Sequence, residues 1–310
     1  MSKISFIIPA YNEEGNIFKI VELINKCVNE NLKDYEAEII FINDGSVDNT
    51  FEKIKEVSQT NTNVFYIQFS RNFGQRNALK AGLLMCKGDC AISLDCDLQH
   101  PIDLIPEMVK EWQKGNQLVC TIRKEDKSLP FLKRFSSKIF HRVISFLSDT
   151  HIEYGVSDFR LLDRKVIDVV AKLKEKDIFW RGIVKWVGFK NSTITYVPNE
   201  RLSGETSYNF NGLVKLAMTG IISFSVKPLY FAIYLGGLFT FLSLFYIPFI
   251  VYCAVTGIAV SGWSSIITLI IFFGGLQLII LGIIGLYIGE LFSEVKQRPG
   301  YIIDETNITS

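Results

Sequence analysis

The chain has 310 residues and 48% hydrophobic content, enough for a core of ordinary size and for a further apolar segment. Its 33 Lys and Arg stand against 32 Asp and Glu, a net charge of +1, and no nucleic-acid partner is expected. The apolar residues are unevenly spread: Asp, Glu, Lys and Arg are absent from Pro228 to Gly289, whereas the preceding residues carry charge at a normal soluble density, which divides the chain into a globular part and a membrane part.

The first ten residues lead directly into a strand-like segment, without a charged region, an apolar stretch and a cleavage site, so no signal peptide is expected and the large domain should stay cytosolic. "KISFIIPA" (3–10), "AEIIFIND" (37–44), "NVFYIQFS" (63–70), "CAISLDCD" (90–97) and "QLVCTIR" (117–123) are short, rich in Ile, Val and Phe, and mostly apolar on both faces. That pattern predicts parallel strands covered by helices on both sides. Helices are predicted between them over 14–29, 47–60, 74–87 and 101–114, the last opening on Pro101, where proline suits a first turn. The fold class is α/β, a doubly wound and mostly parallel sheet.

In such sheets the ligand crevice lies beyond the carboxyl ends of the strands. Polar residues collect there: "PAYNEE", "NDGS", "SRNFG" and "DCDLQH" follow the first four predicted strands. Neither GxxxxGK[ST] nor GxGxxG stands at the first turn, which argues against the P-loop and dinucleotide-binding variants.

From Lys127 to Ser148 five basic residues (Lys127, Lys133, Arg134, Lys138, Arg142) and no acid alternate with apolar residues at helical spacing, which predicts an amphipathic helix on a membrane surface. A core helix with a solvated face would explain the spacing but not the one-sided charge. A second amphipathic stretch, about 210–224, leads into the apolar run. Sixty-two uncharged residues exceed one span of roughly 20 residues and fit two, about 229–254 and 266–288, broken at "VTGIAVSGWS". Lys227, Lys296 and Arg298 flank them, so the positive-inside rule puts both ends in the cytosol and makes the chain a multi-pass protein of the plasma membrane. Gly285 and Gly289 permit a close helix contact, either within this hairpin or in a homo-oligomer. The expected division is 1–200 catalytic, 201–227 juxtamembrane, 228–290 membrane and 291–310 tail. Six cysteines (Cys27, Cys86, Cys90, Cys96, Cys120, Cys253) lack paired CxxC spacing and are expected to pack rather than to bridge.

Asp95 and Asp97, two apart on a chain read as extended, would leave the same face a few ångströms apart. Such carboxylates repel unless a cation lies between them. Oxygen-only ligation, with Gln99 on the same face, suits Mg²⁺ or Mn²⁺ completing its shell with phosphate oxygens. The plain alternative is a solvated strand end with a helix cap at Asp97 or His100. "NDGSVDNT" (43–50) reads as a turn with Ser46 or Asp48 as cap, while Asp44 at the strand tip is placed to accept from a nucleobase N–H. Arg71 suits either a structural carboxylate or a phosphate.

Taken in order, "IIPAYNEEGNI", "NDGSVDNT", "SRNFGQRNAL", "DCDLQHP", "DFRLLDR" and "RGIVKWVGFK" resemble the family 2 glycosyltransferases, above all the branch that loads a sugar onto a polyisoprenyl phosphate. The resemblance runs over nearly the whole chain and implies a GT-A-like nucleotide-sugar fold followed by interface helices and a two-helix transmembrane hairpin. It implies that Pro9, Tyr11, Glu13 and Asp44 hold the nucleoside and that Asp95, Cys96, Asp97 and Gln99 line the metal and diphosphate. The family more often has Ala at position 96, where backbone rather than side chain would contribute. Arg123, Arg134 and Ser137 match acceptor-phosphate positions. "RLSGETSYNF" matches in outline through Arg201, Gly204 and Tyr208, although many relatives have Lys where Ser207 stands. Asp158 matches the carboxylate usually discussed as catalytic. A helix N-cap is its alternative role.

The implied reaction joins a nucleotide sugar to undecaprenyl phosphate at the cytosolic leaflet with inversion, glucose from UDP-glucose first, then UDP-N-acetylglucosamine or GDP-mannose. Two rivals are a processive polysaccharide synthase, against which two spans and "RGIVKW" at 181–186 argue, and a catalytically dead anchor, against which Asp44, Asp95, Asp97 and Asp158 argue.

Overall fold

Ser2–Ala10 forms strand β1, and no residue from Ile4 to Ile8 reaches solvent on either face, as expected of an apolar run that alternates with nothing. The computed structural model describes residues 1–124, 156–173, 175, 180–197, 227–257 and 262–308. They belong to two units, one of 1–141, 150–209 and 298–310, the other of 142–149 and 210–297. The amphipathic stretches predicted over 127–148 and 210–224 lie outside the described residues, as does nearly all of the juxtamembrane 201–227.

In the first unit the remaining strands are β2 (Tyr35–Asn43), β3 (Val64–Phe69), β4 (Cys90–Ser93), β5 (Leu118–Arg123), β6 (Val156–Asp163), β7 (Asn191–Tyr196) and β8 (Ile303–Thr306). They form one sheet in the order β7-β5-β6-β4-β1-β2-β3-β8. Strands β4, β1, β2 and β3 run parallel, as do β5 and β7, while β6 runs antiparallel to both β4 and β5 and β8 runs antiparallel to β3. The mostly parallel α/β sheet read from the sequence is therefore present, with two corrections. Three strands, β6, β7 and β8, join the five predicted ones, with β6 lying between β4 and β5. The fourth stops at Ser93, four residues short of its predicted end.

Helices α1 (Ile17–Asn31), α2 (Thr50–Thr60), α3 (Gln75–Met85), α4 (Ile105–Gln113), α5 (Arg164–Ala171) and α6 (Trp180–Trp186) accompany the strands. Helix α1 buries Ile17, Ile20, Val21, Ile24 and Val28, the spacing of one apolar helical face. On α3, Gly82 lets the helix settle on the sheet, since a Cβ there would overlap Ile7 and Ile42. Cys27, Cys86, Cys90, Cys96 and Cys120 are buried and free, as packing residues.

The second unit contains helices α7 (Lys227–Val255, 29 residues) and α8 (Trp263–Val295, 33 residues). The predicted break is real: Gly257 has φ +70° and Gly262 caps the start of α8. Among the described residues one stretch, Phe272–Val295 of α8, is long and apolar enough to cross a membrane, and a shorter apolar stretch, Leu229–Phe239, lies in α7. Leu229 shares a groove with Leu291, Gly236 shares one with Ile280, and the Phe239 ring meets Phe273 at 5.7 Å. Partners fall in number along α8 as they rise along α7, so the two helices run antiparallel.

Candidate active site

Three loops at the carboxyl ends of β1, β2 and β3 are tied to one another by polar side chains. Asn12, at φ +56°, donates its N–H to Ser46 Oγ (3.0 Å), and its Oδ1 accepts from Val47 N–H (2.9 Å). Glu13 N–H donates to Thr50 Oγ1 (2.8 Å), and Glu13 Oε2 accepts from Asn16 Nδ2 (2.6 Å). Fully buried Asn43 donates to Gln68 and accepts from Ser46 Oγ. Asp48 accepts from Thr50 N–H (3.1 Å) just before α2, but the N-cap of that helix is Asn49, so the capping role considered for Asp48 is corrected. Pro9, near the end of β1, is half-buried, and Tyr11, just beyond that strand, is exposed.

Asp44 is 2% exposed, and both carboxylate oxygens are engaged, Oδ1 by Phe73 N–H (2.6 Å) and Oδ2 by Gly74 N–H (2.9 Å). Burial raises its pKa, against the opposing pull of those two N–H groups and of Arg71. Asp44 thus clamps the loop after β3, and each oxygen keeps a second lone pair for a further donor. Arg71 lies over the Phe73 ring at 4.0 Å, and Nη1 donates to Asn72 O. Gly45 permits this approach: it has φ +68°, and a Cβ would overlap the backbone of Arg71 and Asn72.

Asp95 and Asp97 sit in a turn beyond β4 and not on an extended strand. Leu98 has φ +60°, and Asp97 Oδ1 accepts from Gln99 N–H (3.1 Å), closing an Asx turn. Asp95 Oδ1 accepts from Gln75 Nε2 at the start of α3 (2.6 Å). Both aspartates are half-exposed, whereas Cys96 between them is buried and its thiol pKa is pushed well above the ordinary value by desolvation. Its side chain therefore serves packing.

His100 holds this turn in place. It is 7% exposed, stacks on Phe159 (4.9 Å between centroids), and accepts from Asp95 N–H at Nδ1 (3.0 Å). Burial lowers its pKa to about 4, so the ring is neutral at pH 7 and its proton resides on Nε2, which faces Ser157 Oγ at 3.2 Å. Phe159 N–H also donates to Ser157 Oγ, and the Tyr196 hydroxyl lies 3.0 Å from it. His100→Leu removes the acceptor for a buried backbone N–H; it is expected to cost about 2 kcal/mol and lower Tm by roughly 4–8 °C in detergent. A Tm equal to the parent's would show that the turn holds itself.

Strand β6 brings Asp158 to the same end of the sheet. Because β6 runs opposite to β4, its beginning lies beside the end of β4: Ser93 pairs with Arg160, and Ser93 Oγ donates to Asp158 O (2.5 Å). Asp158 is a strand residue, so the N-cap role considered for it is corrected; the cap of α5 is Asp163, which accepts from Lys165 N–H (2.9 Å). Asp158 Oδ1 accepts from Nη2 of Arg160 (2.5 Å), whose side chain is fully buried and also donates to Trp180 O and Ser157 O. Arg123, at the exposed end of β5, is close enough for its charge to oppose protonation of His100. Arg134, Ser137 and Arg201 lie outside the described residues.

The structure thus gathers Asp95, Asp97, Gln99 and Asp158 at one end of the sheet, with Asp44 and Arg71 at neighbouring strand ends. Among the described residues no group of three His, Cys, Asp or Glu is arranged to hold a metal. Two half-exposed carboxylates with an amide nearby fit a hard cation that draws the rest of its shell from phosphate and water. Gln75, His100, Ser157, Arg160 and Tyr196 were not read as site residues. For Arg160 a signal existed, since residues two apart on a strand share a face. The others meet only through tertiary contacts.

The model of the family described as Glycosyl transferase family 2 matches residues 5–170. Among curated relatives, the uncharacterized glycosyltransferase YkcC of Bacillus subtilis (strain 168) is 40% identical over 303 residues, 97% of this chain and 93% of that one. The prophage bactoprenol glucosyl transferase homolog of Escherichia coli (strain K12) is 38% identical over 302 residues, 97% of this chain and 98% of that one. Among solved structures, glucosyl-3-phosphoglycerate synthase from Mycobacterium tuberculosis in complex with Mn²⁺, UDP-Glc and phosphoglyceric acid superposes at a TM-score of 0.47 with 18% identity, covering 71% of this chain and 78% of that one.

Proposed function

This chain belongs to glycosyl transferase family 2, and from that premise we propose that it moves glucose from UDP-glucose to undecaprenyl phosphate, with inversion, at the cytosolic face of the plasma membrane. The observation that carries the reading is the near full-length match to chains named bactoprenol glucosyl transferase, 38–39% identical. A carboxylate-rich strand end and an apolar helix pair in one chain are what a water-soluble donor and a lipid acceptor require.

In this reading Pro9, Tyr11, Glu13, Asp44 and Arg71 receive the nucleoside and its first phosphate, and Asp95, Asp97 and Gln99 hold Mg²⁺ or Mn²⁺ against the diphosphate. The cation supplies charge neutralisation of the leaving diphosphate. The acceptor phosphate is ionised at neutral pH, so a strong general base is unnecessary. Its oxygen forms the new bond to the anomeric carbon while the bond from that carbon to the diphosphate breaks, releasing UDP. Arg123, with Arg134, Ser137 and Arg201, holds the acceptor phosphate, and Asp158, fixed by Arg160, orients acceptor or sugar hydroxyls. Helices α7 and α8 cross the membrane as a hairpin with both ends in the cytosol, a reading supported by their 29 and 33 residues and by Lys227, Lys296 and Arg298 at the ends.

Membranes containing the protein, given undecaprenyl phosphate and labelled UDP-glucose, UDP-N-acetylglucosamine or GDP-mannose in turn, are expected to transfer label to the lipid from UDP-glucose. Label in lipid from another donor alone would overturn the choice of glucose. Lipid left unlabelled by all three would overturn the reaction.

A further inference from the structure

The residues that follow α8 return to the sheet of the first unit. Strand β8 pairs with β3, Ile67 opposite Thr306, Gln68 opposite Glu305 and Phe69 opposite Ile303. Side chains reinforce the ladder: Tyr66 O–H donates to Glu305 Oε1 (2.7 Å), Lys55 Nζ to Glu305 Oε2 (2.7 Å), and Tyr66 N–H to Asn307 Oδ1 (2.7 Å). At the carboxyl end of β3, Ser70 N–H donates to Ile302 O (3.1 Å).

Beside that last bond, Tyr301 stacks on Phe69, centroids 5.0 Å apart and planes 14° from parallel. Phe69 is fully buried and meets Phe73 edge-on at 5.8 Å and 89°. Phe73 carries Arg71 on its face and gives its N–H to Asp44. One unbroken series of ring contacts therefore joins the tail to the loop that holds both Asp44 and Arg71. Stacked and edge-to-face pairs fix ring orientation as well as distance, so a ring at position 301 sets the attitude of Phe69 and, through it, of the 70–74 loop.

We infer that Tyr301 is a positioning residue for donor binding, the tail acting as a strap that fixes the nucleoside-binding loop through Phe69 and Phe73. This rests on the proposed placement of the nucleoside at Asp44 and Arg71. Tyr301 follows the last residue of α8, Val295, by six positions, so the same segment that leaves the apolar helix sets the affinity for the soluble substrate.

The test uses the full chain in detergent with UDP and MnCl₂, comparing the parent with Tyr301→Leu and Tyr301→Phe. Tyr301→Leu is expected to weaken UDP binding and raise the donor KM by roughly three- to tenfold, with kcat and acceptor KM within about twofold of the parent. Tyr301→Phe keeps the ring and is expected to restore donor KM. Hydrogen exchange should quicken over 70–74 in the Leu variant alone, while β1 and β2 stay as protected as in the parent. Unchanged exchange at 70–74, an unchanged donor KM, or a loss that Phe fails to restore would overturn the strap. A parent that binds no UDP, with exchange at 70–74 still quickened by Leu, would refute the proposed reaction and leave Tyr301 as the loop's anchor.

Discussion

Asp97→Asn is expected to lower kcat/KM by about three orders of magnitude, on the order of 4 kcal/mol of transition-state stabilisation. The substitution is diagnostic because Asn keeps the Oδ1 that closes the Asx turn onto Gln99 N–H. The positive φ of Leu98 and the seating of His100 are then unaffected, and the loss reports charge rather than shape. Added Mn²⁺ should recover only part of the activity, since a neutral amide oxygen is a weaker ligand for a hard cation than a carboxylate. The parent should lose activity in excess EDTA and regain it with Mn²⁺ or Mg²⁺. Turnover undiminished in EDTA would remove the metal from the mechanism. A normal kcat/KM in Asp97→Asn would remove Asp97.

Asp158→Asn is expected to lower kcat at saturating donor and acceptor by about a hundredfold, together with a stability loss of about 1–2 kcal/mol. The second effect follows from Arg160, whose guanidinium has no access to solvent and faces Asp158 as its counter-charge. Removing one charge of such a pair leaves the other buried and uncompensated, whereas removing both is far milder. Arg160→Met added to Asp158→Asn should therefore raise Tm part of the way back, with kcat still low. Recovery of kcat in step with Tm would make Asp158 only the partner of Arg160.

Strands β1 to β5 were legible because each carries a mostly apolar and mostly buried run followed by polar residues that cannot continue it, whereas β7, parallel to β5, was not foreseen, since "NSTITY" is largely polar and exposed at alternate residues. The helices between them announced themselves by spacing, as in the buried stripe of α1. The turn holding Asp95 and Asp97 was misread as strand because "CAISLDCD" looks like one, with Leu94 and Cys96 both buried as an interior strand would have them. What ends β4 is not local. His100 bonds the backbone of Asp95 while resting on Phe159 and facing Ser157, more than fifty residues on. Strand β6 went unseen for a related reason: "SDFRLLDR" was read as a motif, and an Arg at the centre of an apolar stretch argues against a buried strand until its partners, Asp158 and the carbonyl of Trp180, are in view. Strand β8 is four residues long and three-quarters polar, so only the open side of β3 makes a strand of it.

That last pairing bears on which edge the sheet presents. A bare β3 would present a row of unmatched N–H and C=O groups, the template on which strands of separate molecules join and precipitate. The tail takes that row and offers its own strand in its place. The edge that remains is four residues long in place of the six of β3, with exposed Asp304 beside it and Glu305 already paired with Lys55, and so it is a poorer template for another strand.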